Sequence, residues 1–519
     1  MPETVPLRRH IDILRAQILT VLCCAGLVAC SAPRDETPSP GAAASQVKLR
    51  VMAFNIEWGG THVSFEKVVE AIQRAEPDVV AVQEAEGNLE RLAVELGWHH
   101  NARNHVISRH RLIDPSGADG KYVLAEVRPG LAIAVANVHL PSDPYGEDLI
   151  RDGHSLDEVS ALERRLRLPA IQPFLAVLPQ LASNGMPVFL AGDFNSPSHE
   201  DWTAAAIGRW PHRRFAVEWP VAKAVQAAGF RDSYRQRHSD PLEDPGFTWW
   251  AERPAISDYN PGSSDSQSRI DFVWHAGPVE VTGSTLVGES GAPGVTIEVT
   301  PWPSDHRAVL SDFVVEAAPL PYLVAADKQR YVVGEPLSIV YRNRTSAGAI
   351  VVASVSSGSA RNMTSRRIGL NSERDVLVLN EPLPGSGRYS VTLEDNQRQV
   401  VSRNHFWVLP AEARPLIEVA SESYEQGEPI SLTWRNAPGN RYDWVAVYAK
   451  DATDKGSYLA WAHLDAGIEG TTTLDASDAV EGRPLPPGRY VARLMIDDGF
   501  GLLAESVPFE IREAGAAAP

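Results

Sequence analysis

The chain has 519 residues, 44% of them hydrophobic, and 66 acidic against 48 basic side chains give a formal net charge of −18. That length exceeds what one hydrophobic core serves, so two to four domains are expected. Most of the acidic excess lies in residues 47–315, which disfavours a protein that grips long nucleic-acid tracts through their phosphates.

At the N-terminus Arg8, Arg9 and Arg15 precede an apolar run from Ile18 to Val28. A run of about eleven residues is too short to span a bilayer but suits the core of a signal peptide. It ends Leu27-Val28-Ala29-Cys30, which resembles the bacterial lipobox. Residues 1–30 therefore read as a lipoprotein signal peptide with Cys30 lipidated after cleavage. The expected location is the bacterial cell envelope, with the protein held to the membrane by its N-terminal lipid and facing the periplasm or the exterior. All three cysteines, Cys23, Cys24 and Cys30, lie here, so the mature chain is expected to hold no disulfide. Residues 31–46 are polar and rich in Pro and Ala, a flexible tether.

From Val47 strands and helices alternate. Val47–Ile56 reads as a strand, Ser64–Ala75 as an amphipathic helix, Asp78–Gln83 as a short buried strand and Asn88–Leu96 as a helix. Lys121–Val127 and Leu131–Val138 read as a hairpin turning at Pro129-Gly130. Asp157–Leu181 reads as a long helix with a break at Pro169, Pro187–Ala191 as a central strand, and Ser311–Val315 as the closing strand of an α/β domain spanning 47–317.

Beyond Ala317 the pattern is all-β and repeats. YVVGEPLSIVYRN from Tyr331 matches YEQGEPISLTWRN from Tyr424, and LPGSGRY from Leu383 echoes LPPGRY from Leu485. The copies stand about 93 to 101 residues apart, the length of a sandwich domain. Two immunoglobulin-like β-sandwiches are expected, over 318–411 and 412–514, as spacers or as modules for a surface ligand. DWVAVY (Asp443–Tyr448) occurs only in the second and resembles a β-sandwich module found beside bacterial and plant phosphatases.

Within 47–317 five strand-like runs end in polar residues. They are MAFNIEW (Asn55), VVAVQEAE (Glu84), VANVHLP (Asn137, His139), VFLAGDFNSPS (Asp193, Asn195) and SRIDFVW with PSDHRAV (Asp271, Asp305, His306). A sheet delivers side chains to one rim in this way, each strand held by burial and its end aimed into a cleft. Carboxylates and carboxamides suit a hard divalent cation, Mg²⁺ or Mn²⁺ in its place, and the set lacks the thiolates that point to zinc. Glu84 ends the apolar run Val79–Val82, where a carboxylate is costly unless it meets a metal or a partner. Asn137 and His139 are two apart on a strand and share a face, as do Asp193 and Asn195. Adjacent Asp305 and His306 point opposite ways on an extended chain, so His306 needs another carboxylate, and Asp271 is the expected one.

Asn55, Glu84, Asn137-x-His139, GDFN at 192–195, Arg269-Ile-Asp271 and SDH at 304–306 together resemble the endonuclease/exonuclease/phosphatase superfamily, in that family's chain order. PSHEDWT, AGFRDSYR and PGFTWW resemble a subgroup of its secreted bacterial members. The resemblance implies a four-layer α-β-β-α sandwich of the deoxyribonuclease-I type and metal-dependent hydrolysis of a phosphate mono- or diester. It implies that Glu84 and Asp305 hold the metal with support from Asn55, and that Asp271 orients His306. Asp193 would orient the attacking water or stabilise the leaving side. Asn195 and His139, together with Asn137, would contact phosphoryl oxygens. A secreted endonuclease on DNA or RNA is the alternative enzyme, and a non-catalytic cell-surface binding protein the alternative from another class.

Three further features carry blander expectations. His99, His100, His105 and His110 read as solvated loop histidines. Arg164, Arg165 and Arg167 read as the wet side of the long helix. Trp249 and Trp250 read as either core or a stacking surface. The loops Asn101–Leu112, Ser142–His154 and Glu243–Gln267, which would choose a substrate, have no readable code.

Overall fold

A computed structural model describes residues 46–513 and 515, apart from 143, 211, 252–266, 356–364, 384 and 481. The signal-peptide, tether and Cys30 expectations, and much of the 243–267 loop, lie outside the described residues.

Two seven-stranded sheets form the centre of the first domain. The first contains β1 (Gln46–Asn55), β2 (Val79–Gln83), β3 (His99–Asn101), β4 (Val106–Ser108), β11 (Val279–Gly288), β12 (Val295–Glu298) and β13 (Ala308–Glu316), in the order β12-β11-β13-β1-β2-β4-β3. The second contains β5 (Arg111–Ile113), β6 (Val123–Arg128), β7 (Leu131–His139), β8 (Val188–Asp193), β9 (Arg231–Asp232) and β10 (Asp271–Ala276), with β14 (Ala318–Pro319) beside β7; its order is β5-β6-β7-β8-β10-β9.

The period-two pattern of these strands explains the layers. Inward residues Val51, Ala53, Val79 and Ala81 of the first sheet meet Ile133, Val135, Phe189, Ala191 and Val273 of the second in one apolar layer. Outward Met52, Phe54, Val80 and Val82 pack beneath the helices Phe65–Ala75 and Leu89–Leu96. Outward Ala134, Ala136, Val138 and Leu190 pack beneath the helices Leu156–Leu175 and Pro220–Ala227. Central strands buried on both faces read as continuous apolar runs, and each fully buried Val, Leu or Phe is worth about 1.5–3 kcal/mol over exposure. The result is an α-β-β-α sandwich.

The long helix departs from expectation. It starts on a Ser155/Glu158 capping box and runs through Pro169 and Pro173 to Leu175, and the separate turn Leu178–Ser183 follows. The chain turns at its end and not at Pro169. Arg167 is also not on its wet side. It is buried, paired with Glu163, and donates to the backbone oxygens of Pro141 and Pro144 at 2.8 and 2.9 Å, tying down the segment that follows β7.

Each C-terminal repeat is a two-sheet sandwich with its own core, one around Ile339, Val391 and Phe406 and one around Leu432, Val447 and Leu494. The repeated motifs have local causes. In the GEP turns Glu335 accepts from the Val332 amide at 3.0 Å and Glu428 from the Glu425 amide at 2.8 Å. The GRY tyrosines Tyr389 and Tyr490 return their hydroxyls to backbone oxygens four residues upstream, Gly385 at 2.9 Å and Pro486 at 2.6 Å, a corner-fixing device of such sandwiches.

Candidate active site

The site lies where strand ends of the two sheets converge. In the register of the second sheet His139 stands opposite Asp193 on the parallel pair β7–β8, and Asp271 stands opposite Asp193 on the antiparallel pair β8–β10. Three chemically active residues thus form one row across three strands. In the first sheet Asn55 at the end of β1 stands opposite Gln83 at the end of β2, which delivers Glu84 one residue later. A cleft of about 340 Å³ between these ends is lined by Glu57, Trp58, Glu84, His139, Asp193, Asn195, Trp249, Asp305 and His306, with Ser142 and Tyr145 at one side. No Lys or Arg is among its described lining residues.

His306 is buried, and its Nδ1 lies 2.9 Å from Asp271 Oδ2. Its Nε2 faces Asp193 Oδ2 at 3.7 Å, Asn55 Nδ2 at 3.4 Å and Asp305 Oδ1 at 4.0 Å. Burial alone would lower the imidazole's pKa, but the Asp271, Asp193 and Asp305 carboxylates outweigh it and hold His306 well above its ordinary value. Asp193 is pushed up to about 6, first by burial and then by Asp271, against the pull of His306 and His139. Its Oδ1 accepts from the Asn195 amide at 2.8 Å, and its Oδ2 lies 3.7 Å from His139 Nε2. Asp193 therefore sits between two imidazoles.

The carboxamides are more committed than their sequence positions imply. Asn55 accepts from the Glu57 amide through Oδ1 at 3.1 Å, so its Nδ2 faces the site and bridges Glu84 Oε1 at 2.9 Å and Asp193 Oδ2 at 3.1 Å. It orients carboxylates through Nδ2, and its Oδ1 is held by the Glu57 amide. Asn137 is buried, accepts from Gln83 Nε2 at 2.7 Å and donates to Val82 O and His105 O, each at 2.8 Å. Both ends of that amide are occupied, so the expected contact with a phosphoryl oxygen is replaced by a cross-tie between β7 and β2. Asn195 spends Nδ2 on Leu140 O at 2.9 Å and still lines the cleft.

Asp193, Asp271 and His306 offer atoms that all lie within 4.8 Å of one another, a spacing that would admit a metal ion. Two of the three are already hydrogen-bonded to each other, so we read them as a proton-handling array. A better cation position is marked by Asp305 Oδ1, which is buried without a hydrogen-bond partner, and by the carboxylates of Glu84 and Glu57 on the same cleft. These hard oxygen donors fit Mg²⁺ or Mn²⁺.

Asp305 and His306 do not point apart. The segment before β13 bends at Ser304 and Asp305 and meets Trp249 in a single bridge at His306, and both side chains reach the cleft. Ser304 fixes that bend: its hydroxyl donates to Asn55 O at 2.7 Å and accepts from the His306 amide at 3.0 Å. Arg269 of the same motif family is a buried anchor, donating to Asp201 at 2.9 Å and Asp232 at 2.6 Å at the start of β10. Sequence reasoning missed Glu57, which is 4% exposed, has φ 53° and accepts from the Asp305 amide at 3.0 Å. It also left Trp249 undecided. Trp249 is 8% exposed, stacks on Tyr145 with centroids 5.7 Å apart, and donates from Nε1 to Asp305 Oδ2 at 3.2 Å.

The stretch that carries the site matches a known family. Residues 52–306 match the family described as Endonuclease/Exonuclease/phosphatase. An uncharacterised Caenorhabditis elegans protein is 32% identical over 291 residues, which cover 51% of this chain and 91% of that protein. Among solved structures, an endonuclease/exonuclease/phosphatase from Beutenbergia cavernae is 15% identical, with 69% of this chain and 99% of that chain covered and a TM-score of 0.33. A Bacteroides thetaiotaomicron mannosyl-6-phosphatase is 13% identical, with 51% and 99% covered and a TM-score of 0.26.

Proposed function

The chain belongs to the Endonuclease/Exonuclease/phosphatase family through residues 52–306, and from that premise we propose that it is an extracytoplasmic, Mg²⁺-dependent phosphoesterase. The observation that carries this reading is the row His139, Asp193, Asp271 with His306 bonded behind it, facing Asp305 and Glu84 across one cleft.

The residues divide the work. Asp271 fixes the proton of His306 on Nδ1 and leaves Nε2 to meet a phosphoryl oxygen as a cationic donor. Asp193, with one oxygen held by the Asn195 amide, turns the other, which also accepts from Asn55, toward the cleft to orient a water and take its proton. His139 supplies a second donor beside it. Glu84 and Asp305, with Glu57 behind them, would hold the cation, and a bound Mg²⁺ supplies charge neutralisation and orientation of a phosphate oxygen. Burial of the array keeps these interactions strong, since little water competes.

The test is an assay of the purified ectodomain with Mg²⁺ against plasmid DNA, a sphingolipid, inositol phosphates and an aryl phosphodiester. Hydrolysis of one of the last three in preference to DNA is expected, because the described cleft lining carries no Lys or Arg to follow a polyanion. Preference for plasmid DNA would move the reading to an endonuclease. No hydrolysis of any of them with Mg²⁺ or Mn²⁺ would overturn it.

A further inference from the structure

The second β-sandwich reaches into the first domain at the back of the cleft. Strand β6 pairs with β7 only as far as Val123–Val135. On β7 the amides of Ala134 and Leu140 bond toward β8, at Pro187 O and Asp193 O, so by strand alternation the polar groups of Asn137 and His139 face the side that β6 has left. Two consecutive residues of the sandwich take them. Arg441 donates to Asn137 O at 2.7 Å, and the buried Tyr442 hydroxyl faces the backbone amide of His139. The Tyr442 ring stands edge-on to both His139 and His105, with centroids 6.4 and 5.1 Å away.

A third residue holds the neighbouring strand. Asp497 accepts from the Gly87 amide at 2.8 Å and pairs with His105 Nε2 at 2.7 Å, with both side chains buried. His105 is thus no solvated loop histidine. Its backbone oxygen receives Asn137 Nδ2 at 2.8 Å and the Val82 amide at 3.0 Å, two residues before Glu84. The loop from Glu84 needs holding: Glu84, Glu86 and Gly87 have φ of 53°, 45° and 84°, a backbone that persists only where its surroundings impose it. Ile496 packs so closely on Gly87 that an added Cβ would lie 2.3 Å from its Cδ1.

We infer that the second β-sandwich is a working part of the active site, in which Arg441 and Tyr442 position the strand end bearing His139 and Asp497 positions the loop bearing Glu84. This rests on the proposed phosphoesterase reading for its kinetic consequence, though not for its structural one. Arg441 bonds to backbone two residues before His139 and Asp497 to backbone three residues after Glu84, and none of the three residues lines the cleft itself. They are therefore positioning residues that act through His139 and Glu84.

The experiment uses the full ectodomain with Arg441→Met, Arg441→Lys, Tyr442→Phe and Asp497→Asn, and with the exposed Arg489→Ala of the same sandwich as control. Against an aryl phosphodiester, Arg441→Met and Tyr442→Phe are expected to lower kcat by about ten-fold, the scale of losing a partner that orients a ligand. KM and the thermal midpoint should stay close to wild type, and Arg441→Lys should recover part of the loss. Hydrogen exchange should quicken at amides 137–140 in the Tyr442→Phe protein and nowhere else. Wild-type kcat in both variants, or an equal loss in Arg489→Ala, would overturn the inference. If wild type hydrolyses no phosphoester, the functional reading fails and exchange alone decides: local quickening upholds the docking role, and unchanged exchange sinks it. Tyr442→Phe removes one oxygen, so it answers even if Arg441→Met does not fold.

Discussion

His306 spends its Nδ1 on Asp271 at 2.9 Å and so has one nitrogen left for the cleft. The two residues act as a unit if that bond sets which nitrogen carries the proton. The double variant Asp271→Asn/His306→Ala should then be barely worse than His306→Ala alone, because groups that act together are strongly non-additive. Measuring kcat/KM for the singles and the double decides it, and additive losses would separate the pair.

The proposed metal ligands are Glu84 and Asp305, which line the cleft and of which Asp305 Oδ1 is buried without a hydrogen-bond partner. Hydrolysis should stop with a chelator and return with Mg²⁺ or Mn²⁺. Glu84→Gln should lose most activity with its fold intact, since Glu84 is half-buried just past a strand end and not packed in the core. The defect of Asp305→Asn should be partly relieved by higher metal concentration and that of Asp271→Asn should not. A Mg²⁺ titration of the three variants reads this directly, and full activity in excess chelator rules the assignment out.

The pH dependence follows from two shifts of opposite use. Asp193 must be ionised to accept a proton, and burial with Asp271 beside it holds its pKa up at about 6. Activity should therefore fall as pH drops through about 6, where the carboxyl protonates. His306 must be protonated to donate, and the surrounding carboxylates hold it well above its usual range, so activity should persist through neutral pH. A nearby cation favours the ionised carboxylate, and raising Mg²⁺ should move the acidic limb to lower pH. A limb that ignores metal concentration, or residual Asp193→Asn activity with the same limb, would remove Asp193 from this role.

Much of the site was legible because strand ends announce themselves. An apolar run that stops at Glu84 or Asp193, or starts at Asp271, marks a strand end with a carboxylate that burial alone would not place there, and two-residue spacing told which partners share a face. Legibility failed where the chain leaves the strand. Asp305 and His306 share a cleft because Ser304 holds them in a bend, which alternation misreads. Glu57 enters on a left-handed backbone, and no periodicity marks that. Arg441 lies 304 residues from Asn137, a distance that no local pattern bridges. The repeats were visible by their GEP and GRY turns, but those turns fix each sandwich and say nothing of what it docks against.

Location is tested at the N-terminus. Arg8, Arg9 and Arg15, the short apolar run and Cys30 support a lipid anchor, and a span would need about 20 apolar residues. Cys30→Ser should release the protein from the membrane fraction or block its maturation. Fractionation that finds the cleaved Cys30→Ser protein still in the membrane would count against lipidation there.

The last prediction concerns Arg269, which the sequence pattern grouped with the catalytic motifs. Its guanidinium is 2% exposed and joins Asp201 to Asp232, with its face 4.5 Å from the Phe272 ring centroid. Arg235 also meets Asp201 at 2.5 Å, so the cluster is two cations and two carboxylates sealed at the start of β10. Removing one cation strands a buried carboxylate, and breaking such a pair costs about 3–5 kcal/mol. Arg269→Met should therefore lower stability by that order in a denaturant titration. Its kcat, measured well below the new midpoint, should fall far less than that of His306→Ala, since Arg269 touches no residue of the cleft lining in this network. A stable Arg269→Met protein with a His306-like loss of kcat would reverse the assignment and place Arg269 in the chemistry.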